Sequence, residues 1–332
     1  MDQKTLLITG GAGYIWSHAV VAFEQAGYKI VILDNFLNSS NDNLIGIKKI
    51  LGYSPDFYEC DIWDQDELNK IFRKYHFDGV IHFAGLKAVG ESCQKPHLYH
   101  QNNIWGSLVL FGVMEQFGVK KIIFSSSATV YSSDNTPPLT EDMPLATTNP
   151  YGTTKLVLEK ILEDYAKQWD WFVMSLRYFN PIWAHSSWYI GEIPRGIPNN
   201  LLPFITDVAC GKREKVMVFG DDYPTSDGTG VRDYIDVCDL VDAHLQAYQA
   251  LSQGLRVYNI GTGSGTSVLE MICIVSDITG KQIPYEISER RPGDIATVFC
   301  DPTLAQKELG FTAKVSIRES IKKSWNFSRA LK

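Results

Sequence analysis

The stretch TLLITGGAGYIW, residues 5–16, decides the fold of this chain. The apolar run Thr5–Thr9 passes directly into a glycine-rich turn, and an amphipathic pattern containing residues 18–25 follows. Gly10 and Gly13 match the first two glycines of the G-x-x-G-x-x-G turn, whose backbone amides and following helix N-terminus receive a pyrophosphate. The stretch therefore predicts the first strand, the phosphate-binding turn and the first helix of a dinucleotide-binding fold.

Strand and helix patterns alternate through the rest of the first half. Short β-branched runs predict buried strands at residues 29–33, 79–83, 121–125 and 171–177. Longer amphipathic stretches predict helices at residues 66–74, 99–117 and 152–168. This repetition is typical of an α/β protein with a Rossmann-type, doubly wound parallel sheet.

The pattern loosens after Asn180 into loops rich in proline and glycine. Further elements are predicted at residues 199–211, 216–219, 239–253, 257–260 and 268–279. The chain of 332 residues also exceeds the roughly 250–300 residues at which a single core stops growing. We therefore expect a Rossmann domain over residues 1–180 and a smaller α+β substrate-binding domain over 181–332, with part of 231–265 rejoining the first domain.

Composition and charge exclude several classes of partner. The formal charge is −7 and basic residues form no stripe, so nucleic acid is not expected. No run approaches the roughly 18–20 apolar residues of a membrane span, and no basic-then-apolar leader is seen. The six cysteines are scattered and form no C-x-x-C pair, so we expect free thiols, no metal site and a cytoplasmic location.

The second predicted strand favours NAD over NADP as the dinucleotide. Asp34 ends this strand, where an acid usually holds the adenosine ribose hydroxyls. Residues 35–43 contain no Lys or Arg that could neutralise a 2′-phosphate. Trp16 replaces the third glycine of the fingerprint, so either the helix is displaced or the local packing is rebuilt.

A candidate base lies in YGTTK, residues 151–155. Tyr151 and Lys155 are four residues apart at the start of a predicted helix, hence on one face. Alcohol oxidation needs a base, and a neighbouring ammonium favours the phenolate form of tyrosine. The pair lies downstream of a serine cluster, residues 125–127, that ends a predicted strand, and open α/β sheets bind ligands at such strand ends.

Several segments together resemble the UDP-glucose 4-epimerases, a family of extended short-chain dehydrogenases. The resemblance rests on TGGAGYI at 9–15, HFAGLKAVGES at 82–92, SSSATVY at 125–131, PYGTTK at 150–155, RYFNP at 177–181, IPNNL at 197–201 and RDYI at 232–235. It covers nearly the whole chain. It implies NAD-dependent interconversion of UDP-galactose and UDP-glucose through a transient 4-keto sugar, with NAD regenerated in each cycle.

The resemblance also implies roles for individual residues. Tyr151 would be the base for the 4′-hydroxyl, Lys155 would lower its pKa and bind the nicotinamide ribose, and Ser127 would hydrogen-bond the reacting oxygen. The implied cofactor contacts are Gly10, Gly13, Tyr14, Ile15, Asp34, Asn35, Asp61, Ile62, Phe83, Ala84, Gly85, Lys87, Asn102, Tyr151, Lys155 and Tyr178. The implied UDP-hexose contacts are Ser127, Tyr151, Asn180, Asn200, Leu201, Phe219, Arg232, Tyr234, Arg291, Asp294 and Val298. Family members commonly form homodimers through a helix pair, here residues 99–117 and 152–168.

The chain departs from the family pattern at positions that are usually small or polar. Tryptophan stands at Trp16, Trp105, Trp183 and Trp188, and Ser132 stands where the pattern has glycine. We hypothesise that these tryptophans gather around the cofactor and the sugar and impair the enzyme, since overpacking costs about 1–3 kcal/mol per site. Val298 replaces a bulky tyrosine found in some members, which predicts tolerance of N-acetylated UDP-sugars.

Two other functions are open at this point. A nucleotide-sugar 4,6-dehydratase uses the same tyrosine and cofactor, but its relatives tend to carry an Asp-Glu pair after the serine strand, where this chain has no carboxylate between Ser127 and Val130. A non-catalytic dinucleotide-binding module would suit the tryptophans, although both Tyr151 and Lys155 are present.

Overall fold

The computed structural model describes residues 3–168, 170–182, 184–192, 198, 200–291 and 293–330. Trp183 lies outside these ranges, and so do Ile197 and Asn199 of the IPNNL segment.

Strands and helices alternate along the described chain. The strands are β1 Thr5–Thr9, β2 Lys29–Asp34, β3 Asp56–Glu59, β4 Gly79–His82, β5 Lys121–Ser127, β6 Phe172–Tyr178, β7 Asn180–Ile182, β8 Val216–Phe219, β9 Val231–Arg232, β10 Tyr234–Asp236, β11 Gly254–Ile260, β12 Thr266–Ser267, β13 Tyr285–Ser288 and β14 Thr297–Val298. The α-helices are α1 Tyr14–Gln25, α2 Asn41–Leu51, α3 Gln65–Lys74, α4 Val89–Gln94, α5 Pro96–Tyr99, α6 Gly106–Gln116, α7 Pro150–Gln168, α8 Leu201–Ala209, α9 Val237–Gln249, α10 Val268–Thr279, α11 Thr303–Leu309 and α12 Ile317–Ala330.

The large sheet is the parallel, doubly wound sheet that the sequence predicts. In the described part of the chain its strand order is β11-β6-β5-β4-β1-β2-β3. The chain leaves β1 toward β2 and β3 on one side and returns to β4 on the other, so the strand order reverses between β1 and β4. Open α/β sheets bind their ligands at the carboxyl ends of the strands beside such a reversal.

Alternation of side chains along β1 builds a core on each face of the sheet. Leu6 and Ile8 pack on one side with α1 and α9, and Leu7 packs on the other side with α3, α6 and α7. All three are fully buried. Each such leucine or isoleucine contributes roughly 1.5–3 kcal/mol relative to an exposed position. The two layers fix the carboxyl end of β1, and with it the glycine-rich turn.

One predicted helix is interrupted in the structure. The stretch 99–117 contains the end of α5, a π-helical segment His100–Trp105 and α6. The π-helical segment carries Asn102 and Asn103, and such wide turns are frequent at functional sites. Hydrophobic periodicity did not reveal the interruption, because a single wide turn shifts the apolar face only slightly.

One strand from the second half of the chain joins the first sheet. Strand β11 pairs in parallel with β6 from Gly254↔Phe172 to Ile260↔Tyr178. The strands β7, β8, β9, β10, β12, β13 and β14 form small sheets outside it. A separate core of α8, α10 and α12 packs under these strands. We call this second unit the small lobe.

Candidate active site

A groove at the carboxyl ends of β1, β2 and β4 lies at the reversal of strand order. It encloses about 440 Å³, including its open mouth. We call it the nucleotide groove, and its walls are Gly10, Trp16, Leu33, Asp34, Asn35, Leu37, Asn38, Cys60, Asp61, Ile62, Ala84, Gly85, Leu86 and Asn102. Eight predicted cofactor contacts therefore share one groove: Gly10, Asp34, Asn35, Asp61, Ile62, Ala84, Gly85 and Asn102.

The glycine-rich turn requires glycine at its first position. Gly10 has φ +75°, and a Cβ there would lie 3.0 Å from the backbone nitrogen of Ala84. Both the left-handed backbone and the close approach of β4 exclude a side chain. The turn consequently brings the ends of β1 and β4 into contact at the floor of the groove.

Helix α1 opens from this turn with unused hydrogen-bond donors. Gly13 precedes the helix, and the amide of Ser17 donates to the Gly13 carbonyl at 3.1 Å. The amides of Tyr14, Ile15 and Trp16 come before that first bond, so they have no acceptor within the helix. A helix N-terminus of this kind attracts an anion such as a pyrophosphate.

Asp34 holds the groove together as well as lining it. Its carboxylate accepts from the Ala12 amide at 3.0 Å, from the Phe36 amide at 2.9 Å and from the Ser39 hydroxyl at 2.7 Å. These contacts tie the glycine-rich turn to the loop after β2. Because a carboxylate offers about four acceptor positions, ribose hydroxyls can still bind it.

The opposite wall is organised by Asn103, a residue that the sequence analysis missed. This buried side chain accepts from the Leu86 amide at 2.8 Å and donates to the Leu86 carbonyl at 2.9 Å. It also donates to the Thr154 hydroxyl at 3.1 Å, so it links the Gly85–Leu86 turn to α7. Neighbouring Asn102 donates to Asn103 at 2.9 Å and lines the groove itself.

Tyr151 and Lys155 lie on consecutive turns of α7, beside the carboxyl end of β5. The Lys155 amine is 5.9 Å from the centre of the Tyr151 ring and donates to the Ser125 carbonyl at 2.6 Å. Burial raises the pKa of Tyr151 to about 12, and the interaction with the Ser127 hydroxyl opposes this rise. Burial lowers the pKa of Lys155 to about 7, which the charge of Glu159 partly opposes. The structure thus brings the three predicted catalytic residues together.

The predicted substrate residues of the small lobe are paired by strand register. Tyr234 lies opposite Asn180 in the β10–β7 pair, and Arg232 lies opposite Val298 in the β9–β14 pair. Burial raises the pKa of Tyr234 to about 12, while the nearby charges of Arg232 and Arg291 oppose the rise. The charges of both predicted arginines therefore lie near the same tyrosine.

The remaining predicted substrate residues lie around these pairs. The Arg291 guanidinium sits 4.8 Å from the centre of the Phe219 ring and donates to the Asp294 carboxylate at 2.9 Å. Asn200 caps the start of α8, which begins at Leu201, and its amide donates to Glu192 at 2.6 Å. Glu192 lies 3.9 Å from Lys87, a predicted cofactor contact, so it connects the two sets. Nothing in the sequence pattern had singled out Glu192.

Comparison with known proteins decides the family. The family model described as GDP-mannose 4,6 dehydratase matches residues 7–324. The UDP-glucose 4-epimerase of Bacillus subtilis (strain 168) is 52% identical over 325 residues, which cover 97% of this chain and 96% of the relative. The chain belongs to the UDP-glucose 4-epimerase family.

Solved structures of the family have the same fold. The UDP-glucose 4-epimerase of Stenotrophomonas maltophila, with bound NAD and formylated UDP-arabinopyranose, has a TM-score of 0.96, 45% identity and 99% coverage of both chains. The enzyme of Bifidobacterium longum, in complex with NAD+ and UDP, has a TM-score of 0.95, 47% identity and 98% coverage of both chains. The resemblance stated from the motifs is confirmed at the level of family and fold.

Three predicted cofactor contacts of this epimerase-family chain, Tyr178, Phe83 and Lys87, lie in other surroundings. The hydroxyl of Tyr178 pairs with the Nε2 atom of His244, inside the core. Phe83 packs against the same histidine, with ring centroids 4.9 Å apart. Lys87 lies at the surface, 5.8 Å from the centre of the Tyr14 ring. None of these three side chains is among the walls of the nucleotide groove.

The tryptophans that depart from the family pattern occupy different environments. Trp16 lines the nucleotide groove and stacks on Phe83. Trp105 and Trp188 are 58% and 47% exposed and are not among the groove walls. Trp188 has φ +61°, a conformation that costs a bulky residue energy and suits glycine. Gathering around the cofactor is therefore seen for Trp16 and not for Trp105 or Trp188.

Ser132 does not strain the backbone, although the family pattern has glycine there. The φ angle of Ser132 is not positive, and its amide donates to the Pro144 carbonyl at 3.0 Å. The serine therefore needs no glycine-like conformation.

The described ranges contain no group of three or more His, Cys, Asp and Glu side chains that could hold a metal ion. No helix in the same ranges is both long and apolar enough to cross a bilayer. All six cysteines are free thiols.

Proposed function

We propose that this protein interconverts UDP-galactose and UDP-glucose with NAD as its cofactor. The observation that carries the proposal is the position of Tyr151, Lys155 and Ser127. These residues meet at the carboxyl end of β5, the strand next to β4 and the nucleotide groove, in a chain of the UDP-glucose 4-epimerase family. The arrangement supplies a base and its tuning charge at the edge where α/β sheets bind ligands.

The residues of the nucleotide groove fit a dinucleotide in their chemistry. The free amides at the start of α1 suit a pyrophosphate, and Asp34 suits the hydroxyls of an adenosine ribose. Asn35, Asp61 and the amide of Asn102 add polar contacts along the wall. When bound, NAD would accept a hydride from C4 of the sugar and return it to either face.

Proton transfer belongs to the residues of α7 and β5. Tyr151 would take the proton of the sugar 4′-hydroxyl and later return it. A phenol whose pKa is raised to about 12 is almost entirely protonated at neutral pH and cannot accept a proton in that form. The nearby Lys155 ammonium therefore has to favour the phenolate. Ser127 would hold the reacting oxygen next to the phenol.

The small lobe would bind the UDP portion of the substrate. Arg232 and Arg291 carry fork-like donors suited to a diphosphate, while Asn180 begins β7 and Asn200 directly precedes α8. The Val298 side chain is small and packs against the hydrophobic cluster that contains Phe179. We therefore include N-acetylated UDP-sugars among the substrates of this site.

The organisation of the molecule is part of the same proposal. We assign residues 1–180 to the NAD-binding domain and 181–332 to the UDP-sugar-binding domain, with β11 returned to the first sheet. We also propose a homodimer formed by the helical region 99–117 and α7, since Trp105 presents an exposed indole there. Six free thiols suit the reducing cytoplasm.

The decisive assay measures interconversion of UDP-galactose and UDP-glucose by the purified protein, with nicotinamide quantified after denaturation. We expect conversion in both directions without net formation of NADH. A dehydrated 4-keto-6-deoxy product would identify a 4,6-dehydratase instead. A folded protein that stays inactive with saturating NAD would contradict the proposal. Sedimentation equilibrium of the same sample tests the dimer.

A further inference from the structure

The indole of Trp16 lies across the end of the nucleotide groove where a pyrophosphate would bind. We propose that Trp16 is an affinity-determining residue for the dinucleotide: its ring occupies the anion-binding turn and has to swing away before NAD binds. The inference rests on the proposed use of NAD, but it concerns a side chain that this reaction does not require.

One side of the indole is in contact with the glycine-rich turn. A Cβ placed on Gly13 would lie 2.3 Å from Cδ1 and 2.7 Å from Nε1 of Trp16. The ring therefore covers the backbone of Gly13 at the point where α1 begins. The unused amides of this first turn are the groups that would receive a pyrophosphate, and the indole shares their space.

The other side of the indole is held by the end of β4. Trp16 and Phe83 stack with ring centroids 4.0 Å apart and planes 22° apart. Phe83 is itself fixed, because it packs on His244, which pairs with Tyr178. The indole thus bridges the turn after β1 and the strand β4, the two elements between which the groove opens.

The position of Trp16 also allows it to move. The side chain is only partly buried and lines the open groove, so a change of rotamer moves it toward solvent and away from the core cluster against which it packs. Binding of NAD then has to break the stack on Phe83. The loss of an aromatic stack and of its buried area lowers the apparent affinity by about 10- to 100-fold.

The test compares dissociation constants for NAD in protein stripped of nucleotide. We expect Trp16→Gly to bind NAD about 10- to 100-fold more tightly than wild type, and Trp16→Phe to lie between them. The matched control is Trp188→Gly, which makes the same replacement at an exposed residue outside the groove. Its affinity should equal that of wild type.

Fluorescence provides a second readout of the same movement. NAD should change the tryptophan emission of wild type by an amount that Trp16→Phe lacks and Trp188→Gly retains. Circular dichroism establishes that each variant is folded, and Trp16→Ser replaces Trp16→Gly if glycine destabilises α1. Equal or weaker binding of NAD by both small-residue variants would overturn the inference.

Failure of the inference and failure of the proposed function give different results. Epimerase activity in wild type with equal NAD affinity in all variants would remove only the role of Trp16. Tighter NAD binding by Trp16→Gly without epimerase activity in any variant would remove only the proposed reaction.

Discussion

The Lys155 amine lies 5.9 Å from the centre of the Tyr151 ring, one helical turn away on α7, and its hydrogen bond goes to the Ser125 carbonyl. The two groups are therefore close enough to influence each other's charge without forming a direct pair. This relationship makes the tyrosine and the lysine separately testable.

Removal of the Tyr151 hydroxyl should abolish proton transfer. We expect Tyr151→Phe to lower kcat by about 10²- to 10⁴-fold with little change in KM, since general-base catalysis contributes about that factor. Ser127→Ala should lower kcat less. The control is Tyr53→Phe, at an exposed tyrosine that bonds Glu24. A full-rate Tyr151→Phe enzyme would assign the base elsewhere.

Removal of the Lys155 charge should move the pH dependence. Burial lowers the pKa of this amine to about 7. We expect Lys155→Met to reduce kcat at pH 7 and to shift the rise of kcat to higher pH, because the phenolate loses its stabilising charge. Lys160→Met, on an exposed face of the same helix, serves as control. An unchanged pH profile would contradict the tuning role.

Loss of Arg232 should weaken substrate binding before it affects chemistry. A charge-assisted hydrogen bond contributes about 1.5–3 kcal/mol, so Arg232→Leu should raise KM for UDP-galactose by about 10- to 100-fold. The exposed Arg256, on the edge strand β11 of the large sheet, gives the matched Arg256→Leu control. Similar KM values in the two variants would place the diphosphate outside the small-lobe site.

Enlargement of Val298 should narrow the substrate range. Val298 lies opposite Arg232 in the β14–β9 pair, so a tyrosine ring at this position would lie beside a predicted diphosphate contact. We expect Val298→Tyr to slow turnover of UDP-N-acetylglucosamine by about 5- to 150-fold relative to UDP-glucose, since steric overpacking costs about 1–3 kcal/mol. Equal rates for both sugars in the variant would count against this position as a selector.

Acid should destabilise the fold through His82. Burial lowers the pKa of this histidine from 6.5 to about 3, and its two ring nitrogens bond Thr9 and Ser107. Between pH 6.5 and 3 the unfolded chain binds a proton that the folded state does not. The free energy of unfolding should therefore fall by about 1.4 kcal/mol per pH unit in this window from His82 alone.

The measurement compares urea unfolding of wild type and His82→Asn between pH 7 and pH 4. Burial also raises the pKa of Asp236 to about 7, which acts in the opposite direction. This effect is present in both proteins, so the difference between them isolates His82. The variant should lose less stability than wild type on acidification. Parallel curves would show that His82 is protonated in the folded state.

Local patterns were sufficient to predict the geometry of much of the candidate catalytic site. Tyr151 and Lys155 share a helical face because four residues make about one turn, and Gly10 is fixed by a turn that needs a positive φ. The serine cluster follows a buried strand, so its place at the sheet edge was also predictable. Each of these features depends on neighbours close in sequence.

Other features depend on contacts between distant segments and gave no local signal. Asn103 joins the Gly85–Leu86 turn to Thr154, and Glu192 joins Lys87 to Asn200. The short strand Asp56–Glu59 has an acidic residue at each end, has no fully buried residue and lies at the sheet edge, so its composition does not predict a buried strand. Such residues are recognised only when the fold brings their partners together.

By itself, then, the sequence determined the doubly wound sheet, the glycine-rich turn and the Tyr151–Lys155 pair, because backbone sterics and the helical and strand periods act over a few residues. Only the tertiary structure decided where the Trp16 indole lies. The sequence shows that a ring replaces a glycine, but the choice between a displaced helix and rebuilt packing is made by Phe83, which is 67 residues away in the chain. Packing is a property of surfaces that meet after folding, and a one-dimensional pattern does not contain it.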